Sequence, residues 1–366
     1  MDGPLDIVLA TDSTAPSGVG EHMLALAGSL RPRHRIVLAF PVAGGGQRFL
    51  ARAVDAGFEV IVMDGDGASL SKWLKNRPTS LLHVHAGVGW EGHGLAYAGW
   101  TANVPVVRTE HLPYILTDEQ QITQHRLGVA LVDRLVFVSK ATAESFRAAG
   151  FHGERTSTIQ NGIATPVTRR SRNETRAALA IPESDFVIVT VARFTVQKGY
   201  RHLLSAIQAL GALGANACFL LVGDGPERCD MEALAESLGT NAKISFLGER
   251  DDVPDLMAAA DLFVLPSLFE GLPLVILEAM ALGLPIVTTN IGGTVEALGV
   301  DHPWLVGSAD GSALAAMIST AIADAGRHAQ GDRNRRRFAE RFAIERMAAE
   351  TAELYRSVVA ERACLA

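Results

Sequence analysis

The sequence predicts two α/β domains in series, each a mostly parallel sheet covered by helices on both faces, and three observations carry that reading. The chain has 366 residues, more than one ordinary domain, and its 48% hydrophobic content is ample for two cores. Apolar runs of strand length alternate with helical stretches along almost all of it. After a stretch at residues 164–173 that carries Pro166 and several arginines, the alternation starts again.

In the first half, LDIVLA at residues 5–10 has the continuous apolar character of a strand buried on both faces. The polar loop 11–20 then leads into a helix with Met23, Ala27 and Leu30 on one face. Gly18 and Gly20 in SGVGEH are too few for a dinucleotide fingerprint, so an ordinary tight turn fits this loop as well as a ligand role does. Further strands are expected at 35–40, 58–63, 81–85, 104–108 and 135–139. Ligands collect beyond the carboxyl ends of such strands. Three of these ends carry polar residues: His83 and His85 in LLHVHAG, Glu110 and His111 in VVRTEHLPY, and Ser139 and Lys140 in FVSKAT. A single histidine there is commonly packing, whereas several polar ends on one edge point to a pocket.

The second half reads as a strand at 186–192, its loop at 193–199 and a helix at 200–210, with strands at 218–222, 244–247, 262–265 and 286–289. Its centre is DLFVLPSLFEGLPLVILEAMALGLPIVTT, residues 261–289, which reads as strand, turn, helix and strand. Pro273 suits the first helical turn and Gly283 closes the helix. Glu270 lies in the loop before this helix and Glu278 about a turn and a half inside it, and the helix N-terminus between them suits an anion. From about 332 to 360 the pattern is helical, with Phe338, Phe342, Met347, Leu354 and Tyr355 expected to be buried, and a tail of that length can cross back over the first domain.

Charge and cysteine content narrow the partners. The net charge of −7 is spread along the chain, which argues against nucleic acid; the run Arg333–Arg337 reads as a solvated helix face. Cys218, Cys229 and Cys364 show neither zinc-ligand spacing nor a pairing pattern, so no metal and a reducing compartment are expected. The start MDGPLDIVLA lacks the basic residue of a signal peptide, and no apolar run reaches the ~20 residues of a membrane span. A cytoplasmic protein with at most peripheral membrane contact is expected.

Four pieces of the second half belong together. In VARFTVQKGY, Arg193 and Lys198 leave a strand end where a guanidinium fork and a point charge can reach a pyrophosphate. LVGDGPER turns sharply at Gly223 and Gly225. ISFLGERDDV places Gly248 and Arg250 in another strand-end loop, and FEGLPLVILEAMALGLPIVTTNIGG is the fourth piece.

The order and spacing of these pieces, with SGVGEH, HVHAG and TEH before them, resemble the retaining glycosyltransferases of family 4 over nearly the whole chain. The resemblance implies two Rossmann-like domains facing each other across a cleft (the GT-B type), at 1–165 for the acceptor and 174–345 for the donor. It also implies a C-terminal helix, 346–366, returning to the first domain. Its reaction is transfer of a hexose or N-acetylhexosamine from a nucleoside diphosphate, UDP preferred and GDP-mannose the other option, with no metal and no cofactor beyond the co-substrate. On this pattern Arg193 and Lys198 neutralise the diphosphate, and Glu278 takes the ribose hydroxyls. Glu270 orients the sugar with the backbone of Gly271, Leu272, Pro273 and Leu274. Gly248 and Arg250 lie at the base, His111 lies beside the sugar, and Gly18 and Gly20 allow close approach to the phosphates. The first loop is shorter and poorer in glycine than the family's usual one.

Front-face attack, with the leaving phosphate taking the acceptor's proton, and a covalent intermediate on Glu270 are both compatible with these residues. The acceptor, whether small molecule, glycan or lipid-linked, would be chosen by loops 44–47, 87–94 and 112–124, with closure hinged near 164–173 and at the C-terminal helix. Two other classes remain open: a sugar-nucleotide epimerase on the same scaffold and a non-catalytic nucleotide-sugar-binding protein. Neither the acceptor nor the oligomeric state is visible in the residues.

Overall fold

The computed structural model describes residues 3–15, 17–63, 67–211, 217–240 and 242–365. Its contacts divide the chain into two compact units, Met1–Ile163 together with Ile344–Ala366, and Ala164–Ala343.

The first unit runs β1 (Asp6–Ala10), α1 (Ser17–Leu30), β2 (Arg35–Pro41), α2 (Gly46–Asp55), β3 (Glu59–Met63), α3 (Ala68–Asn76), β4 (Leu81–Ala86), α4 (His93–Thr101), β5 (Val106–Glu110), α5 (Glu119–Ala130), β6 (Arg134–Phe137), α6 (Lys140–Ala148) and β7 (Thr156–Thr158). Its strands form one sheet in the order β3-β2-β1-β4-β5-β6-β7, and every pairing is parallel. A parallel sheet covered on both faces needs strands apolar on both faces, and residues 7–10 of β1 and all six of β4 are buried.

The second unit runs α7 (Arg172–Ala178), β8 (Phe186–Val191), α8 (Tyr200–Ala209), β9 (Ala217–Val222), α9 (Arg228–Ser237), β10 (Lys243–Gly248), α10 (Val253–Ala259), β11 (Leu262–Leu265), α11 (Leu274–Ala281), β12 (Ile286–Thr289), α12 (Gly292–Leu298), β13 (Leu305–Val306), α13 (Gly311–Ala323) and α14 (Arg327–Arg341). The strand order is β10-β9-β8-β11-β12-β13, again all parallel. The order reverses between β1 and β4 in the first unit and between β8 and β11 in the second, and such switch points open a crevice at the carboxyl ends.

Arg172 and Asn173, expected in the linker, belong to α7. A capping box between Ser171 and Glu174 starts that helix, and Asp255 of α10 accepts the Arg169 and Arg170 amides at 2.6 and 3.1 Å. Asp261, at the head of β11, ties α7 to the sheet through Arg172 and Arg176 and accepts the Val187 amide at 2.7 Å.

The helical stretch expected from about 332 to 360 consists of two helices, α14 and α15 (Ile344–Leu365), with a break at Phe342, which is fully buried. Helix α15 joins the first unit's core, where Met347, Tyr355 and Val358 pack with Met23, Leu26 and Leu30 of α1. Phe338, Phe342, Met347 and Tyr355 are buried; Leu354 is half-buried. The arginine run on α14 is more than a solvated face. Arg335 donates to the Leu282 carbonyl at 2.9 Å and Arg337 to those of Ala297 and Glu296 at 2.6 and 3.1 Å. Both side chains thereby satisfy carbonyls at the C-terminal ends of α11 and α12.

Candidate active site

In the second unit the candidate residues sit where the strand order reverses. From β8 the chain passes through Arg193 and Phe194 into a 3-10 turn, Val196–Lys198. Buried Phe194 stacks on Tyr200 of α8 with ring centroids 3.9 Å apart, and the Tyr200 hydroxyl donates to the Ala192 carbonyl at 2.9 Å. Gly199 (φ +68°) ends the turn and opens α8, and a Cβ there would strike the Pro266 carbonyl. The loop after β9 comes equally close. Gly225 (φ +157°) has no room for a Cβ beside the Phe194 backbone, and the Phe194 amide donates to the Asp224 carbonyl at 2.9 Å. Arg193 and Lys198 therefore project from backbone clamped on two sides.

Beyond the end of β11, Glu270 has only 5% of its side chain exposed. Its Oε1 is ion-paired with Lys198 Nζ and accepts the Ser267 hydroxyl at 2.7 Å, while Gln197 Nε2 lies 3.4 Å from Oε2. The structure thus brings together the two groups assigned to diphosphate and sugar. Gln197 and Ser267, which hold Glu270, escaped the sequence reading; their adjacency to Lys198 and to the FEG stretch was the available signal. Gln197 also donates to the Phe269 carbonyl at 3.0 Å, and Thr289 of β12 to that of Ser267 at 2.6 Å. Behind the loop, a Cβ on Gly293 of α12 would sit 2.8 Å from the Glu270 carbonyl oxygen, so that position also needs glycine.

Pro273 occupies the N-cap position of α11 (φ −69°, ψ 120°) rather than the first turn, and it has no N–H to offer a ligand. The donors at this helix start are the amides of Leu274 and Val275, which no carbonyl of their own helix can reach. Glu278 is half-buried on the same helix, four residues after Leu274, about 6 Å along the axis. Arg250 makes a forked pair with Asp252, Nε to Oδ1 at 2.8 Å and Nη2 to Oδ2 at 2.7 Å. That hydrogen-bonded pair holds the Asp252 carboxyl below its usual range, and Gly248 (φ +65°) turns just before it.

In the first unit, Gly18 and Gly20 lie inside α1 and not in the preceding loop, since the helix starts at Ser17. Gly20 answers a packing need: a Cβ would lie 2.6 Å from the Phe49 ring of α2. Gly18 has open space around it. Ser139 is the N-cap of α6, accepting the Thr142 amide at 3.0 Å, and Lys140 is that helix's exposed first residue. Glu110 is buried against Arg108, Nε to Oε1 at 2.6 Å, and His125 Nε2 lies 3.1 Å from the same oxygen. Burial alone would raise the Glu110 carboxyl; the Arg108 guanidinium and the His125 contact outweigh it and hold the group below its usual range.

The histidines converge. His83 Nδ1 is 2.5 Å from the Tyr355 hydroxyl and its Nε2 is 2.7 Å from Thr109 Oγ1. The His83 and His85 rings are 4.0 Å apart, and His85 Nδ1 faces His111 Nε2 at 3.1 Å. His22 on α1, which the sequence showed only as the end of SGVGEH, sits edge-on to His111 at 4.7 Å between ring centroids. Burial pushes all four rings towards the neutral form, His22 to about 4 and the others well below the usual range.

The family model for glycosyl transferases group 1 matches residues 171–340, and that for Glycosyltransferase Family 4 matches residues 16–166. The chain belongs to the family 4-like glycosyltransferases. An N-acetyl-alpha-D-glucosaminyl L-malate synthase of Bacillus anthracis is 28% identical to this glycosyltransferase-family chain over 237 residues, 64% of the chain and 62% of the relative. A UDP-Gal:alpha-D-GlcNAc-diphosphoundecaprenol alpha-1,3-galactosyltransferase of Escherichia coli is 36% identical over 251 residues, 62% of the chain and 61% of the relative. The chain thus spans less than two thirds of the length of either. Among solved structures, Anabaena HepE in complex with UDP and glucose superposes with a TM-score of 0.82 at 25% identity, covering 96% of the chain and all of HepE. Two parallel-sheet α/β Rossmann-like units with GT-B neighbours establish the fold. No described helix is long and apolar enough to cross a membrane.

Proposed function

We propose that the protein is a retaining glycosyltransferase that moves a hexose or N-acetylhexosamine from a nucleoside diphosphate, UDP preferred, to a hydroxyl of an acceptor, with no metal in the reaction. The observation that carries this is the Lys198–Glu270 pair, set with Arg193 at the carboxyl ends of β8 and β11 where the strand order of the donor unit reverses.

As the bond from the anomeric carbon to the diphosphate breaks, negative charge grows on the leaving oxygen. Arg193, Lys198 and the start of α11 favour that charge, the work a metal ion does elsewhere. Glu270, held by Ser267 and Gln197, accepts hydrogen bonds from sugar hydroxyls, and Glu278 takes those of the ribose. The acceptor oxygen approaches from the leaving group's own face. It bonds to the anomeric carbon and passes its proton to the departing phosphate oxygen, so the anomeric configuration is kept. The uridine preference draws on HepE, solved with UDP and glucose, and on the UDP-galactose named for the Escherichia coli relative. On this reading the second unit carries the donor; His111, which the family pattern places beside the sugar, belongs to the first.

Calorimetric titration of UDP into the wild type and into Arg193→Ala, Lys198→Ala and Glu278→Ala tests the site. Each substitution is expected to remove measurable binding, and unchanged affinity sinks the assignment. A thermal-stabilisation panel of nucleotide sugars then identifies the donor, and the anomeric proton coupling of the product distinguishes retention from inversion.

A further inference from the structure

We propose that His22, His85 and His111 form a binding site for a borderline divalent transition-metal cation of the zinc class, and that an ion bound there withdraws His111 from the transfer reaction. The three residues come from α1, the end of β4 and the residue after β5, and one ligand nitrogen from each lies within 4.8 Å of the others. Zinc–nitrogen bonds of ~2.0–2.1 Å put tetrahedral ligand nitrogens about 3.3 Å apart. His85 Nδ1 and His111 Nε2 stand 3.1 Å apart, close to that spacing, and His22 brings a third ligand nitrogen within 4.8 Å.

One further observation favours an ion over simple packing. His22 Nδ1 is fully enclosed and makes no hydrogen bond of normal geometry, although buried polar atoms are almost always paired. The chemistry of the donors selects the ion: imidazole nitrogens without a carboxylate suit zinc, copper or nickel and not magnesium or calcium. His111 is half-buried while His22 and His85 are buried, so an ion arrives past His111. Three neutral donors leave the ion its full charge, and its open position takes water or an anion.

The binding half of this inference is independent of the enzyme activity; the blocking half rests on the role proposed for His111. The test uses the full chain carrying Cys229→Ser and Cys364→Ser, since those exposed thiols would otherwise compete. Zinc titrated against a chromogenic chelator at neutral pH should show one ion per chain. Binding should weaken by at least about tenfold in His22→Asn and in His111→Ala, with melting curves confirming that both variants fold. Cobalt should give the intense visible bands of a tetrahedral site, and excess magnesium should not compete. No stoichiometric zinc, or zinc retained in both variants, overturns the site. In the transfer assay zinc should inhibit and a chelator restore turnover; full turnover with zinc bound overturns the blocking role. UDP titration, read separately, reports whether the donor site itself is at fault.

Discussion

Lys198→Ala tests the pair at the centre of the donor unit. Removing one partner of a buried ion pair costs about 3–5 kcal/mol, because the other charge is left without compensation. Glu270, 5% exposed, keeps the Ser267 hydroxyl and the distant Gln197 amide as its partners among the described residues. Water can enter where Lys198 had 17% exposure, which places the cost at the low end, about 3 kcal/mol. In a unit of this size that corresponds to a fall in Tm of about 6–12 °C. Glu270→Gln removes the buried negative charge and leaves Lys198 able to turn towards solvent, so it should cost only about 1 kcal/mol. The decisive comparison is the double variant. If the loss in Lys198→Ala is an uncompensated carboxylate, adding Glu270→Gln should raise the melting temperature above that of the single variant. Calorimetry of the ligand-free proteins reads all three. A Lys198→Ala protein melting within about 2 °C of wild type, or a double variant less stable than Lys198→Ala, would refute the reasoning.

Two other outcomes follow from the first unit. His22, His83 and His85 are buried and His111 half-buried, all with pKa values below the unfolded reference, so their contribution to stability is fully present above about pH 6.5 and is lost as the pH falls towards 4. Between pH 7 and 5, His22 alone accounts for about 2 kcal/mol, and urea unfolding followed at both values should show at least that loss; an unchanged midpoint would contradict the burial of these rings. Gly20→Ala puts a methyl group 2.6 Å from the Phe49 ring and should cost about 1–3 kcal/mol. Glycine at 20 is a packing requirement only if Phe49→Leu recovers part of that loss in a chemical-denaturation assay.

Much of this molecule is legible without coordinates. Apolar runs such as FLLV in β9 and LFVL in β11 sit in central parallel strands, where no alternation of polar residues is tolerated. The loops that follow β8 and β11 announce themselves by charged and small residues placed directly after such runs. Local signals also placed the ends of α11, since Pro273 and Gly283 act within a few residues of themselves. Local signals mislead at the start of α1, where two glycines suggest a loop, and at the linker's end, where the capping box at Ser171 starts a helix within a stretch of loop-like composition.

The sequence by itself determined the two-fold α/β pattern and the family-like order of Arg193, Lys198, Glu270 and Glu278, because strand periodicity and loop chemistry are properties of neighbouring residues. Only the tertiary structure decided which distant groups meet. Lys198 faces Glu270 because β8 and β11 are adjacent in the sheet although the two residues stand 72 positions apart in the chain. Arg335 and Arg337 cap α11 and α12 because α14 crosses their ends. His22, His85 and His111 become one cluster because β4 and β5 lie side by side and α1 packs against β4, and no spacing along the chain encodes that. Side-by-side strands turn sequence separations of any length into contacts of a few ångströms, and that step requires the fold.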